Sequence, residues 1–344
     1  MARRKKETGL DAFVRVAEQT ARPLSVKKTR ESERLMGIPA YTVGMIVEHP
    51  TRPDWGPGKV LAVEHERITV YWRDLRESKA GDAVKVMNIN AIPLSVAASQ
   101  SDPWLDHLPR FENGGLRMTK RRLTFAEALD LFLARFPNGF KDPKYLDDRK
   151  FQERAYKWRA HQAFEEMLGN GKGERLLAAG DIDGLVHAAQ HVVGMVNLLS
   201  PYEQMALHDA LADKDAARSF FTGLFALLSA SKPSAETFEP YAAAVRNLPA
   251  EEDRARVATW PVLTILPFLA QPDRHMLLKP SVTEKAAERL AFNLNYRPEL
   301  NWLTYERLLV MSGLLFDKLK PYGVRDFIDV QSFMWITGRQ HATD

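Results

Sequence analysis

The chain contains no cysteine. That one absence removes disulfides, thiolate nucleophiles and Cys-ligated zinc together. Long apolar runs are missing too, and none reaches the ~20 residues that a membrane-crossing helix needs. The opening residues are basic and then polar, so they predict no secretory leader. No Gly-x-x-x-x-Gly-Lys-Ser/Thr phosphate loop occurs. These gaps lead to the expectation of a cytoplasmic, bacterial protein with no membrane partner and no nucleotide-driven motor. With 344 residues there is room for two or three domains.

Net charge is +4, and its placement matters more than its size. Residues 1–36 hold ten Lys/Arg against five Asp/Glu, whereas residues 37–100 hold seven of each. The basic character therefore sits in an N-terminal arm, residues 1–37. Arg3, Arg4, Lys5 and Lys6 open it, and Lys27, Lys28 and Arg30 form a second cluster. A further cluster follows at Arg117, Lys120, Arg121 and Arg122. These eleven residues are the candidate nucleic-acid contacts, because clustered cations displace counterions from phosphates. The competing reading of each cluster is a solvated surface.

Between residues 43 and 94, short β-rich runs alternate with Gly/Pro turns. Ile68, Val70 and Trp72 alternate with Thr69, Tyr71 and Arg73, the period of a half-buried strand. Trp55-Gly56-Pro57-Gly58 supplies a sharp corner. Four or five strands in about fifty residues predict a small SH3-like barrel. If Ile68, Val70 and Trp72 point inward, Arg67, Tyr71 and Arg73 point outward. Trp55 then either plugs the barrel end or joins them in an exposed aromatic/Arg docking patch.

The same stretch resembles the Tudor-like domain appended to bacterial UvrD/Rep-type helicases. It is similar, more distantly, to the polymerase-binding barrel of transcription-repair coupling factors. The resemblance is carried by Gly44, Val47, His49, Pro50, Pro53, Trp55, Gly56, Gly58, Val60, Ile68, Val70, Trp72 and Gly81. It implies a docking module for RNA polymerase, another protein or nucleic acid. The expected fold class is multi-domain α+β: a small SH3/Tudor-like β-barrel followed by a large all-α domain. The expected boundaries are an arm at 1–37, a barrel at 38–96, a linker at 97–118 anchored by Trp104, and a helical domain at 119–344.

From residue 124 onward the pattern is helical. Phe125, Leu129, Phe132 and Phe136 line one face until Pro137. Further helices are predicted near 147–168, 182–199, 216–228, 235–247, 283–292, 302–319 and 325–336. Ser200 and Glu203 predict a capping box for another. Pro261, Pro267, Pro272 and Pro280 predict a region broken into short pieces.

Candidate chemistry in this half is sparse. His187 and His191 stand four apart, with His161 and His208 on neighbouring predicted helices. Such a set suits zinc, but the Glu of a His-Glu-x-x-His motif is missing, and partly buried polar residues explain the pair as well. Asp273, Arg274 and His275 crowd one loop. Asp326 and Asp329 share a helix face without a visible partner. Residues 169–173 have the look of a phosphate cradle, but no strand precedes them, which favours an interhelical loop. No catalytic residue, metal or cofactor is assigned. The favoured function is a non-catalytic adaptor at nucleic acid or the transcription/repair machinery. The alternatives are a metal-dependent enzyme in the helical domain and a structural subunit of a bacterial defence complex.

Overall fold

A computed structural model describes residues 41–75, 83–108, 125–147, 153–250 and 257–339. The chain divides into two compact units, which part in sequence between Ser101 and Asp102. The first is a five-stranded antiparallel sheet, and the second holds about 12 helices.

The strands are β1 (Ile46–Glu48), β2 (Gly58–Glu64), β3 (Arg67–Trp72), β4 (Val84–Asn88) and β5 (Ser95–Val96). They lie in the order β4-β3-β2-β1-β5, so the last strand returns to pair with the first. The register slips between Val60 and Ala62 on β2, a bulge that bends the strand. Val60, Ile68, Val70 and Trp72 fill the inner face, as the alternation predicts. Gly58 is where two backbones approach closely, since it pairs with Trp72 across the ladder. A Cβ placed there would lie 2.5 Å from Val70 Cγ1 and 2.6 Å from Trp72 Cε3.

The helical unit begins with a strap rather than a helix. Asp102 accepts from the backbone N–H groups of Trp104 and Leu105. Trp104 is buried in the helical core, 6.3 Å from the Phe292 ring. His107 O accepts from Asn293 N at 2.6 Å. Residues 102–108 of the expected linker are therefore tied down within this unit.

The helices are α1 (Phe125–Arg135), α2 (Pro143–Asp147), α3 (Ala155–Met167), α4 (Lys172–Ala179), α5 (Ile182–Gly194) and α6 (Pro201–Ala210). There follow α7 (Lys214–Ser229), α8 (Ala235–Arg246), α9 (Trp260–Ala270), α10 (Pro280–Arg289), α11 (Trp302–Leu319) and α12 (Phe327–Arg339). Ser200 and Glu203 form the predicted reciprocal cap at α6.

Two expectations need correction. The segment 260–270 is not broken by its prolines but forms α9, all eleven residues of which are buried. Pro261 sits in the first turn, where a missing N–H costs nothing, and only Pro267 lies inside. α9 packs against α3, α5, α7 and α8 and so forms the axis of the unit. The other correction is α4, which no periodicity announced. Its eight residues follow the tight turn at Asn170 and Gly171, both with positive φ. Residues 169–171 thus form the interhelical turn, and Lys172 and Gly173 open α4. Gly173 lies against Phe225, with no room for a side chain.

Replacing Gly58 with Ala is expected to destabilise the strand unit by about 1–3 kcal/mol, because the buried Trp72 ring must move. Urea unfolding followed by tryptophan fluorescence measures this, and an unchanged midpoint would contradict the close approach.

Candidate functional site

The strand unit offers one surface corner. Pro53–Trp55 makes a short 3-10 turn after β1, and Gly56 leaves it with φ of 66°. Two backbone bonds staple this corner to the end of β3: Arg73 N donates to Pro57 O at 3.0 Å, and Asp74 N to Trp55 O at 2.9 Å. Beneath it, three rings pack at steep angles, with His49 edge-on to both indoles. His49 lies 4.8 Å from Trp55 and 5.7 Å from Trp72, and the two indoles are 5.5 Å apart. Burial pushes the His49 imidazole below its usual range, and the nearby Arg52 charge adds to this. His49 is therefore neutral at pH 7, and its Nδ1 accepts from Thr51 N. The Nε1–H groups of Trp55 and Trp72 are buried without an acceptor among the described residues. On the outside, the Arg52 guanidinium stands 4.7 Å from the Trp55 ring centroid and is held bidentately by Asp54.

Trp55 thus neither plugs the sheet end fully nor stands fully exposed. It is half-buried, with one edge in the ring cluster and one face under Arg52. Tyr71 does not join it. It is only 8% exposed, which removes it from the expected exposed patch. β3 is a central strand, and Tyr71 is flanked by its cross-strand partners Lys59 and Val84. Arg67 is exposed but five residues from Trp72, which is roughly 16 Å along a strand. Arg73 does reach the corner, where it pairs with Asp74 at 2.6 Å. The residues that the structure gathers at this corner are Arg52, Trp55 and Arg73, and Arg52 is the member that strand alternation does not reveal. The eleven basic candidates at residues 3–30 and 117–122 lie outside the described residues.

Residues 42–95 match a family model described as a protein of unknown function, DUF3553. The match covers the strand unit alone. No curated protein and no solved structure matches the chain.

In the helical unit the acidic pair at Asp326 and Asp329 finds its partners. Arg154 donates to both oxygens of Asp326, at 2.7 and 2.6 Å, and to Asp329 Oδ1 at 3.0 Å. Arg325 grips Asp329 through its side chain and its backbone N–H. The Tyr145 hydroxyl donates to Asp329 Oδ1 at 2.7 Å. Burial and then the Asp329 charge hold that phenol well above its usual range, so it remains a donor. One turn further along α3, Lys157 is fully buried and donates to Glu153, Gln331 and Ser332. Burial pushes its ammonium down to about 8 against the pull of Glu153. Two arginines and two aspartates cancel, and their hydrogen bonds face one another rather than a cleft. The arrangement is a clamp between α12 and α3.

The histidines do not converge. His187, His191 and His208 are exposed, and His161 Nδ1 bonds to Leu269 O. Among the described residues no group of three or more His, Cys, Asp or Glu is placed to hold a metal ion. No helix among them is long and apolar enough to cross a membrane. His275 turns inward from its loop and is 1% exposed, with Nδ1 3.0 Å from the Tyr305 hydroxyl.

Burial, reinforced by Arg274, lowers the His275 pKa from 6.5 to about 4. Between these values the unfolded chain binds a proton that the folded chain refuses. Stability is therefore expected to fall as pH drops from about 6.5 to 4, by about 3 kcal/mol in total. His275→Gln removes this term, so denaturant unfolding of the variant should show a flatter pH profile across that window. Identical slopes would contradict a buried, neutral His275.

Proposed function

We propose that the chain is a non-catalytic docking adaptor whose strand unit grips a protein partner at the Arg52–Trp55–Arg73 corner. One observation carries this reading: a half-buried tryptophan is stapled into a rigid turn with an arginine over its exposed face. Trp and Arg dominate interface hot spots because they combine large area with directional polar contact. Residues 37–100 carry balanced charge, which disfavours bulk phosphate attraction and favours a protein over bare nucleic acid. The resemblance to Tudor-like barrels makes RNA polymerase the first partner to test. In the same proposal, the basic arm at residues 1–37 and the cluster at 117–122 supply any phosphate contacts.

Capture of purified RNA polymerase by the immobilised full chain provides the test. Arg52→Glu is expected to cut capture by about tenfold or more, a loss of ~1.4 kcal/mol. It should do so without lowering the melting temperature, because Arg52 is exposed. Arg67→Glu, which makes the same charge change away from the corner, should leave capture intact. Equal effects of both variants would assign the binding to net charge rather than to this corner.

A further inference from the structure

A polar cavity of about 230 Å³ opens in the helical unit, lined by Glu153, Tyr156, Asn197, Lys279, Gln331 and Trp335. It lies below the about 300–1,000 Å³ typical of drug-sized ligand pockets, so whatever fills it is small. Four segments converge there: the approach to α3, the loop after α5, the capping residue of α10 and the middle of α12. Lys157 sits behind the wall and fixes its chemistry. An ammonium only donates, so its bond to Gln331 Oε1 turns the Nε2 amide of that residue away from Lys157. Gln331 is 4% exposed, and its Nε2 makes no hydrogen bond among the described residues. The Tyr156 hydroxyl and the Asn197 amide also lack partners among them. Lys279 brings a second ammonium, 5.6 Å from the Trp335 ring centroid. The lining thus brings one ammonium, from Lys279, and a surplus of hydrogen-bond donors.

We infer that this cavity binds a small organic anion through a carboxylate or phosphate group. Lys279 supplies the countercharge. Gln331 Nε2, the Asn197 amide and the Tyr156 hydroxyl donate to its oxygens, and the carbon part lies along Trp335. Glu153 stays engaged with Lys157, which keeps the one carboxylate of the lining from repelling the ligand. Charge-assisted hydrogen bonds from fixed donors favour such an anion over a neutral solute of the same size.

Isothermal titration of the full chain with inorganic phosphate and, separately, with succinate tests this, with ionic strength matched by sodium chloride. Saturable binding of one equivalent of either probe is expected. Lys279→Gln and Asn197→Asp should each weaken it by about tenfold, the loss of one charge-assisted bond. Asn197 is an exposed loop residue, so its variant keeps the fold intact should Lys279→Gln perturb it. Binding of phosphate alone assigns a phosphoryl ligand, and binding of succinate alone assigns a carboxylate. Absence of saturable binding by both probes overturns the proposal. So does binding as tight in both variants as in the unaltered chain, which would mark an adventitious ion only.

Discussion

Asp329 is an ionisable side chain with no solvent contact at all, and the helical unit closes only because two arginines and a tyrosine reach it. A buried carboxylate without partners would cost several kcal/mol in lost hydration. The constraint is reciprocal, since Arg154 is itself largely buried and shares its guanidinium between Asp326 and Asp329. Arg154 stands at the start of α3, Asp326 just before α12, and Tyr145 in α2. Closing the network therefore fixes three helices at once. Around it, Phe132, Phe136, Phe140 and Tyr145 pack ring on ring, and Phe333 of α12 joins at 5.4 Å from Phe132. The apolar contacts supply most of the burial, while the charges set the register in which it occurs.

The two units spend their polar residues differently. In the helical unit, the carboxylates and guanidinium groups of the clamp are matched internally, which leaves little for chemistry at a surface. The strand unit keeps its aromatic residues at a corner, where Arg52 covers an indole that the turn holds in place. A rigid platform with an arginine over a tryptophan suits recognition, because little side-chain entropy remains to be lost on binding. The family match over residues 42–95 falls on this unit alone, in keeping with a separately folding module.

Much of the fold was legible from spacing. Period-2 alternation identified β3, and Phe125, Leu129 and Phe132 marked the buried face of α1. Ser200 and Glu203 marked a helix start that the structure caps reciprocally. What failed did so for physical reasons. The prolines predict a break at α9, but proline rules concern helix interiors, and its Pro261 stands in the first turn. Alternation placed Tyr71 on the outer face but carried no information about what would cover that face. The clamp was invisible because Arg154 and Asp326 are 172 residues apart, and nothing local marks either as a partner of the other. Arg52 carries no signal for the opposite reason, since it lies in a turn where no periodicity applies.

The central claim is that the paired aspartates serve architecture, with Arg154 as their common partner. A double-mutant cycle on Arg154→Met and Asp326→Asn, read as urea unfolding free energies, tests it most directly. Each single change leaves a buried group unmatched and should cost about 3–5 kcal/mol. The double variant should cost clearly less than the sum, with a coupling of about 2 kcal/mol or more. Additivity within about 0.5 kcal/mol would show that the two side chains act independently and would contradict the account.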